Sequence, residues 1–182
     1  EKYHTVRDIK KMYPEADDRY DGILLSGLKE EIQASDKDKV LVILHTNTSH
    51  GPTYNKKYPA EFEAFTPVCT TVEMSKANPQ ELMNAYDNSV LYTDYIIHSA
   101  IEILKEFTDR RTCMLYVSDH GESLGEGNLY MHGVPKSMAP DEQLKIPFTV
   151  WTSDKSMTIK DLEVAGHHNI YHTVLRFLGA RT

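Results

Sequence analysis

The sequence predicts an α/β fold, specifically a three-layer αβα sandwich around a mostly parallel sheet. Three short apolar runs, residues 39–45, 112–117 and 146–151, have the composition of buried strands and lack a helical period. Segments with a helical period separate them, and this alternation is typical of a parallel sheet covered by helices. The chain has 182 residues and 40% hydrophobic content, which suffices for one core. We therefore treat residues 1–182 as a single domain.

Periodicity and the residues that start and stop helices predict the remaining segments. Residues 1–20 are polar, so they are predicted to form an arm or connector. Helices are predicted over residues 21–32, 79–107 and 168–178. Asp21 is the expected N-cap of the first helix, and Gly179 ends the last one. The irregular stretch 46–78 contains four aromatic residues, which favours an ordered loop over a disordered one.

Charge and hydropathy exclude some classes of function. The formal net charge of −7 and the pI near 5.7 argue against a nucleic-acid-binding protein. No apolar run approaches the roughly 20 residues that a membrane-spanning helix needs. Cys69 and Cys113 leave the redox compartment open, because a pairing between them cannot be argued from sequence.

A polar cluster, Ser118 to Glu122, directly follows the central apolar run. In a parallel sheet, the loops that leave the carboxyl ends of the strands gather at one edge, where ligands bind. Asp119 and His120 stand next to each other there, and their oxygen and nitrogen donors suit zinc or manganese better than calcium. This pair is therefore predicted to hold a metal ion.

Two further histidines belong to the same predicted edge. His50 follows the run 39–45, and His132 lies in the loop that continues from His120; each of the three histidines precedes a glycine. Three such histidines in loops at one sheet edge indicate a metal or phosphoryl site. A dication there would neutralise charge on a phosphoryl or sulfuryl oxygen, and the histidines would donate hydrogen bonds or a proton.

Five segments, collinear from about Val40 to Leu178, resemble motifs of the phosphoethanolamine transferases, which belong to the alkaline phosphatase and sulfatase superfamily. The segments are 49–52, 84–88, 118–126, 130–133 and 139–147. The run Asp-His-Gly-Glu-Ser-Leu-Gly-Glu within them is particularly specific. The resemblance implies an alkaline phosphatase-like fold.

The resemblance also implies an activity and a location. Enzymes of this family are zinc-dependent and move phosphoethanolamine from phosphatidylethanolamine to a cell-envelope acceptor such as lipid A, through a phosphothreonine. They are associated with polymyxin resistance. Their catalytic domain lies on the periplasmic face of the inner membrane of Gram-negative bacteria, attached to N-terminal transmembrane helices. The sequence does not identify the acceptor.

Carried over by position, the resemblance assigns roles to six residues. Asp119 and His120 match zinc ligands. His50 and His132 match pocket histidines that contact the phosphoryl group and in some members hold a second zinc. Among neighbouring residues, Glu122 is expected to support His120, and Asp87 is expected to support the loop that carries His50. The roles of His45, His167 and His168 stay open.

The chain also departs from the family pattern. The glutamate and threonine that complete the family's zinc site have no matching motif in residues 1–39. We therefore expect a C-terminal portion of a catalytic domain, incomplete at its N-terminus and inactive alone. Many relatives form a loop disulfide from the position of Cys69, but its partner position is Ala77 here. Alternative interpretations are a sulfatase, a phosphoglycerol transferase, or a non-catalytic binding domain of the same fold.

Overall fold

The computed structural model describes residues 2–157 and 165–180. Its helices are α1 (Val6–Met12), α2 (Leu28–Gln33), α3 (Pro79–Lys105), α4 (Asp141–Leu144) and α5 (His168–Phe177). Its strands are β1 (Cys113–Val117), β2 (Ser123–Leu124), β3 (Tyr130–Met131) and β4 (Phe148–Thr152). Short 3-10 turns occupy Asp21–Leu25, Tyr54–Lys56, Ala60–Phe62, Met74–Lys76 and Glu126–Asn128. Within these described ranges, no helix combines the length and the apolar character needed to cross a bilayer.

The long helix α3 confirms the prediction of a helix that begins at Pro79. Asn78 caps it, because its Oδ1 accepts hydrogen bonds from the backbone N–H of Gln80 at 2.9 Å and of Glu81 at 3.3 Å. These bonds satisfy two amides that have no partner within the helix. Pro79 fits its first turn, where no N–H is required.

The buried face of α3 is more polar than its apolar period predicts. Val90 lies four and eight residues after Tyr86 and Leu82, a spacing that predicts an inward position, but it is 41% exposed, whereas Asn88 and Ser89 are fully buried. Asn88 is buried because its side chain accepts from the N–H of Phe65 and donates to the carbonyl of Phe65. Asn84 similarly donates to the Pro67 carbonyl at 2.8 Å. The helix thus holds the loop of residues 46–78 against the core, which confirms that this loop is ordered.

The strands of the described region pair in antiparallel fashion. β1 pairs with β4 in the register Cys113↔Thr152 to Val117↔Phe148, and β2 pairs with β3 as a short ladder. The predicted parallel arrangement is therefore wrong for β1 and β4, and the strands β2 and β3 were not predicted. Parallel neighbours need a crossover, usually a helix of substantial length. The chain between β1 and β4 contains only the four-residue α4 as an α-helix.

Residues 39–45, predicted as a buried strand, form no strand in the structure. Leu41, Val42 and Ile43 are 56%, 42% and 81% exposed. Their composition fits a strand, but strand structure requires a paired neighbour, and the described sheets provide none for this run. Leu44 of this run packs against the cluster of Leu28, Ile32 and Phe107.

The predicted helix over residues 21–32 is interrupted. A 3-10 turn precedes α2, and Gly27 between them has φ of 75°, a left-handed conformation that favours glycine. Asp21 does not cap the helix as expected. Its Oδ2 instead accepts from the Asn47 N–H and the Thr48 hydroxyl, so it ties the start of the His50 loop to the N-terminal region.

The two ends of the chain form helices. The predicted arm contains α1, which Thr5 and Asp8 close with a reciprocal capping box. At the other end, α5 confirms the predicted last helix, and Gly179 follows it with φ of 76°. The α/β class is apparent in this structure as helices packed around small sheets.

Candidate metal centre

His50, His120 and His132 lie together, as the sequence predicts. Each has a ring nitrogen within 4.8 Å of those of the other two. The ring centroids of His120 and His132 are 3.7 Å apart. The ring centroid of His50 lies 5.1 Å from that of His132 and 6.2 Å from that of His120. In the described part of the chain, this is the one group of three or more such side chains with metal-binding spacing.

The hydrogen bonds of the imidazoles determine which nitrogen is available. Nδ1 of His50 is 2.8 Å from the Gly51 carbonyl, and Nδ1 of His120 is 3.0 Å from the Gly121 carbonyl. A carbonyl oxygen only accepts, so each Nδ1 carries the proton. In the neutral rings, Nε2 then keeps its lone pair, which is the form that binds a metal ion.

His132 is held by a buried acid. Its Nδ1 donates to Oε1 of Glu122 at 2.8 Å, and the Tyr54 hydroxyl donates to the other carboxylate oxygen at 2.7 Å. The Glu122 side chain is only 5% exposed. Burial, followed by the hydrogen bond to Glu122, raises the pKa of the Tyr54 hydroxyl well above its ordinary value, so it remains a donor at neutral pH.

The turn that carries His120 is packed against α4. The Ser118 hydroxyl donates to the His120 carbonyl at 2.6 Å, and the Gly121 N–H donates to the Gln143 carbonyl at 3.1 Å. A Cβ atom at position 121 would lie 1.9 Å from the Glu142 carbonyl oxygen. Position 121 therefore accommodates only glycine, for steric reasons.

The loop that carries His50 is attached to α3. Ser49 Oγ lies 3.2 Å from the hydroxyls of both Ser89 and Thr93. These two hydroxyls are the groups of α3 that lie next to Ser49, and the expected support of the His50 loop by Asp87 stays a prediction. Asp87 itself is half-buried.

Asp119 and Glu122 differ from their expected surroundings. The Asp119 side chain is 82% exposed, and its Oδ1 lies 3.7 Å from Nε2 of His120, outside the group of three histidines. Its role as a metal ligand stays a prediction. Glu122 supports His132 rather than His120.

The structure adds two residues to the surroundings of the site. In the sequence, Tyr54 is one of the four aromatic residues that predict an ordered loop. Its position four residues after His50 is the one sequence feature that indicates a place near the metal centre. His167 donates from Nε2 to the Ser118 carbonyl at 2.8 Å, which places it beside the end of β1. His45 is exposed, and His168 begins α5.

The fold and the site together define an α/β domain with an imidazole-rich centre suited to a metal ion. The sequence profile of the sulfatase family matches residues 2–180, so the chain belongs to the sulfatase family.

Several relatives within this family share a specific name. The chain is 48% identical over 136 residues to the phosphoethanolamine transferase EptA of Escherichia coli K12, which covers 74% of this chain and 25% of that protein. It is 42% identical over 157 residues to the phosphatidylethanolamine transferase Mcr-1 of Escherichia coli, covering 84% and 29%. The chain thus spans about a quarter to a third of the length of these relatives.

Solved structures show the same similarity. The C-terminal periplasmic domain of the phosphoethanolamine transferase EptC from Campylobacter jejuni matches with a TM-score of 0.73 and 44% identity, over 77% of this chain and 45% of that one. The integral membrane protein lipooligosaccharide phosphoethanolamine transferase A from Neisseria meningitidis matches with a TM-score of 0.73 and 43% identity, over 80% and 28%. These matches confirm the predicted alkaline phosphatase-like α/β class.

Proposed function

We propose that this chain contributes part of the active site of a zinc-dependent phosphoethanolamine transferase. The enzyme would move phosphoethanolamine from phosphatidylethanolamine to a cell-envelope acceptor of the lipid A type. The observation that carries the proposal is the group of His50, His120 and His132, whose Nε2 atoms are left free by the hydrogen bonds at Nδ1. The names of the relatives support the choice of reaction.

The donor set fits zinc. Neutral imidazole nitrogen is a common zinc ligand, and the three side chains are already oriented by the backbone or by Glu122. His120 is the central candidate ligand, with the Asp119 carboxylate 3.7 Å away. Zinc held there would stabilise negative charge on a phosphoryl oxygen and make a hydroxyl nucleophile more reactive.

The protein's own groups then have separate tasks. His50 and His132, where they are not bound to metal, would donate to phosphoryl oxygens from Nε2 only as imidazolium rings that carry a proton on both nitrogens, and in that form they would hold the donor headgroup in place. The phosphoethanolamine group would pass through a threonine, whose oxygen displaces the diacylglycerol of the donor and is itself displaced by a hydroxyl of the acceptor. Residues 1–39 show no matching threonine motif, and the chain spans about a quarter to a third of the length of its relatives, so we assign the nucleophile to a longer parent polypeptide.

The surroundings of the parent enzyme belong to the same proposal. The solved relatives are a periplasmic domain and an integral membrane protein. We infer that the parent is anchored in the inner membrane by N-terminal helices and that this domain faces the periplasm. Modification of lipid A lowers its negative charge, so the parent enzyme is expected to increase resistance to the cationic polymyxins.

Zinc binding tests the centre directly. The 182-residue chain is titrated with zinc by isothermal calorimetry beside the His120→Gln variant. His98→Gln is the matched control, because His98 lies exposed on α3. We expect zinc to bind to the unmodified 182-residue chain and to the His98→Gln control. The His120→Gln variant is expected to bind zinc at least tenfold more weakly. Equal affinities for the two variants would contradict the assignment.

Transfer is tested in the longer parent. The polypeptide is incubated with phosphatidylethanolamine labelled in the headgroup, and the covalently bound label is measured. Asp119→Ala is expected to abolish labelling of the protein, whereas Asp94→Ala, an exposed change on α3, should leave it unaltered. Full labelling of the Asp119 variant would refute the role of Asp119.

The sulfatase alternative has the support of the family match itself. The two activities are separated by substrate. A sulfatase would release sulfate from an aryl sulfate, whereas the proposed transferase should leave that ester intact and consume only phosphatidylethanolamine.

A further inference from the structure

Tyr54 is buried at the junction of the core and the metal centre. The side chain is 1% exposed and packs with Cys69, Met74 and Leu82 in one hydrophobic cluster. Its ring meets that of Tyr86 edge to face, with centroids 5.4 Å apart. The ring is therefore fixed by packing on several sides, and its hydroxyl has a defined position.

The hydroxyl reaches the metal centre through one carboxylate. It donates to Oε2 of Glu122 at 2.7 Å, and Oε1 of the same group accepts from Nδ1 of His132 at 2.8 Å. Since Glu122 is almost fully buried, it has little water to replace a lost donor. The two hydrogen bonds occupy both oxygens and fix the plane of the carboxylate.

That plane decides the orientation of the His132 ring. A carboxylate only accepts, so the bond requires a proton at Nδ1 and leaves the lone pair at Nε2. If the carboxylate rotated, His132 would lose this partner and both tautomers would become accessible. The ring of His132 is 3.7 Å from that of His120, so any rotation would also disturb the neighbouring imidazole.

Tyr54 also touches the loop that carries His50. A Cβ atom at position 51 would lie 2.7 Å from the Tyr54 hydroxyl oxygen and 3.3 Å from Oε2 of Glu122. The backbone next to His50 thus closes over the hydroxyl and the carboxylate. One buried side chain contacts both the His50 loop and the support of His132.

We propose that Tyr54 is a positioning residue of the metal centre, acting through Glu122 to hold His132 in the tautomer with Nε2 free and to keep it in register with the His50 loop. The inference rests on the proposed zinc site and deepens it. The hydroxyl of Tyr54 donates to Glu122, so Tyr54 acts on the imidazole through this carboxylate. Its effect on His132 is transmitted by two hydrogen bonds, of which the Tyr54–Glu122 bond joins residues 68 positions apart in the sequence.

The first test reads the tautomer without any metal. Ring nitrogens of His132 are observed by ¹⁵N NMR in the metal-free 182-residue chain, in Tyr54→Phe and in Tyr86→Phe. Tyr86 is the matched control, because it lies in the same cluster; within the described residues its hydroxyl makes no protein hydrogen bond. We expect a proton on Nδ1 in the parent chain and the control, and mixed or exchanging signals in Tyr54→Phe.

The second test measures zinc affinity on the same three proteins. We expect Tyr54→Phe to bind zinc about tenfold more weakly, as is usual when a partner of a ligand is removed, and Tyr86→Phe to bind as the parent does. Equal losses in both variants, or weaker binding with unaltered His132 signals, would mean that Tyr54 acts only through general stability and would overturn the proposal.

The two readouts also separate this inference from the proposed function. A proton on Nε2 of His132 in the unmodified 182-residue chain would overturn the positioning role even if zinc binds. This measurement does not depend on the folding of any variant. Expected tautomer changes without zinc binding to any of the three proteins would support the role of Tyr54 on His132 and refute the zinc site.

Discussion

At the scale of single residues, the metal centre depends on the hydrogen bond that Nδ1 of each imidazole makes, because this bond leaves Nε2 available for a metal ion. Two rings donate to the carbonyl of the following glycine, and the third donates to a buried carboxylate. The bonds to carbonyls are local, because each joins a histidine to the residue that follows it. The bond to Glu122 depends on packing elsewhere, so His132 is the ring most sensitive to changes in the core.

A backbone conformation provides one prediction at this scale. Asn128 has φ of 63°, a left-handed value that asparagine tolerates better than most residues, and its side chain is exposed. Asn128→Ala is expected to lower the free energy of unfolding by about 1 kcal/mol, and Asn128→Gly should change it little. Urea unfolding measures both; an equal loss for the two variants would contradict a conformational cause.

Buried tyrosines predict an alkaline limit to stability. Burial raises the pKa of Tyr54, Tyr86 and Tyr116. An unfolded tyrosine loses its proton near pH 10, so above that pH the folded chain binds more protons and its stability falls as pH rises. Below about pH 10 this contribution is fully present.

The size of the effect is tested with Tyr54, the most deeply buried of the three. Keeping the Tyr54 hydroxyl protonated should lower the free energy of unfolding by about 1.4 kcal/mol for each pH unit above 10. Tyr54→Phe should remove this part of the pH dependence. Urea unfolding from pH 8 to 11 gives the comparison, with Tyr3→Phe at an exposed position as control. Parallel stability curves for Tyr54→Phe and the parent chain would disprove this origin.

At the scale of elements, α3 organises the site through its polar side chains. Asn84, Asn88, Ser89 and Thr93 attach the irregular loop to the helix, and the same helix contributes Leu82 and Ala85 to the cluster around Tyr54. A change in the position of α3 would therefore move the His50 loop and Tyr54 together.

The cap of α3 gives the corresponding prediction. Asn78→Ala leaves the first amides of the helix without their acceptor and is expected to cost about 1 kcal/mol in the free energy of unfolding. Asn78→Asp keeps the acceptor and should be nearly neutral. Thermal and urea unfolding provide the measurement, and an equally destabilised aspartate variant would show that capping is not the cause.

Sequence patterns were sufficient for features with a local cause. Pro79 and a long helical period located α3, and glycine-flanked histidines after apolar runs located the three imidazoles. Pairing between distant residues has no local signal. The antiparallel partner of β1, the Glu122–His132 bond and the contact of Tyr54 all depend on tertiary packing. The buried face of α3 was misjudged for the same reason, since its asparagines are buried only because the loop supplies their partners.

At the scale of the whole molecule, the apolar segment Leu41–Ile43 is the feature that most affects behaviour in solution. It combines exposed apolar side chains with backbone that pairs with no strand in the described region. Such a segment offers both hydrophobic surface and free hydrogen-bonding groups to another chain.

We therefore expect the chain to associate as its concentration rises. Sedimentation velocity should show the monomer of 20.8 kDa giving way to larger species. Ile43→Lys is expected to keep it monomeric over the same range. Val72→Lys, a charge placed at a 60% exposed valine in the loop, should behave as the parent chain. Identical profiles for the two lysine variants would show that net charge, rather than this segment, controls association.

The contact between Gly121 and α4 has a mechanical consequence. A helix of four residues is too short to persist alone in water, and α4 exists because the backbone of the His120 turn lies against it. Gln143 of α4 contacts this turn twice. Its carbonyl accepts from the Gly121 amide, and its side-chain amide donates to the Ser123 hydroxyl at 2.8 Å. The His120 turn and α4, which are about twenty residues apart in the sequence, therefore depend on each other for their structure and form one cooperative unit. Local opening of α4 would therefore release the turn that carries His120 in the same event.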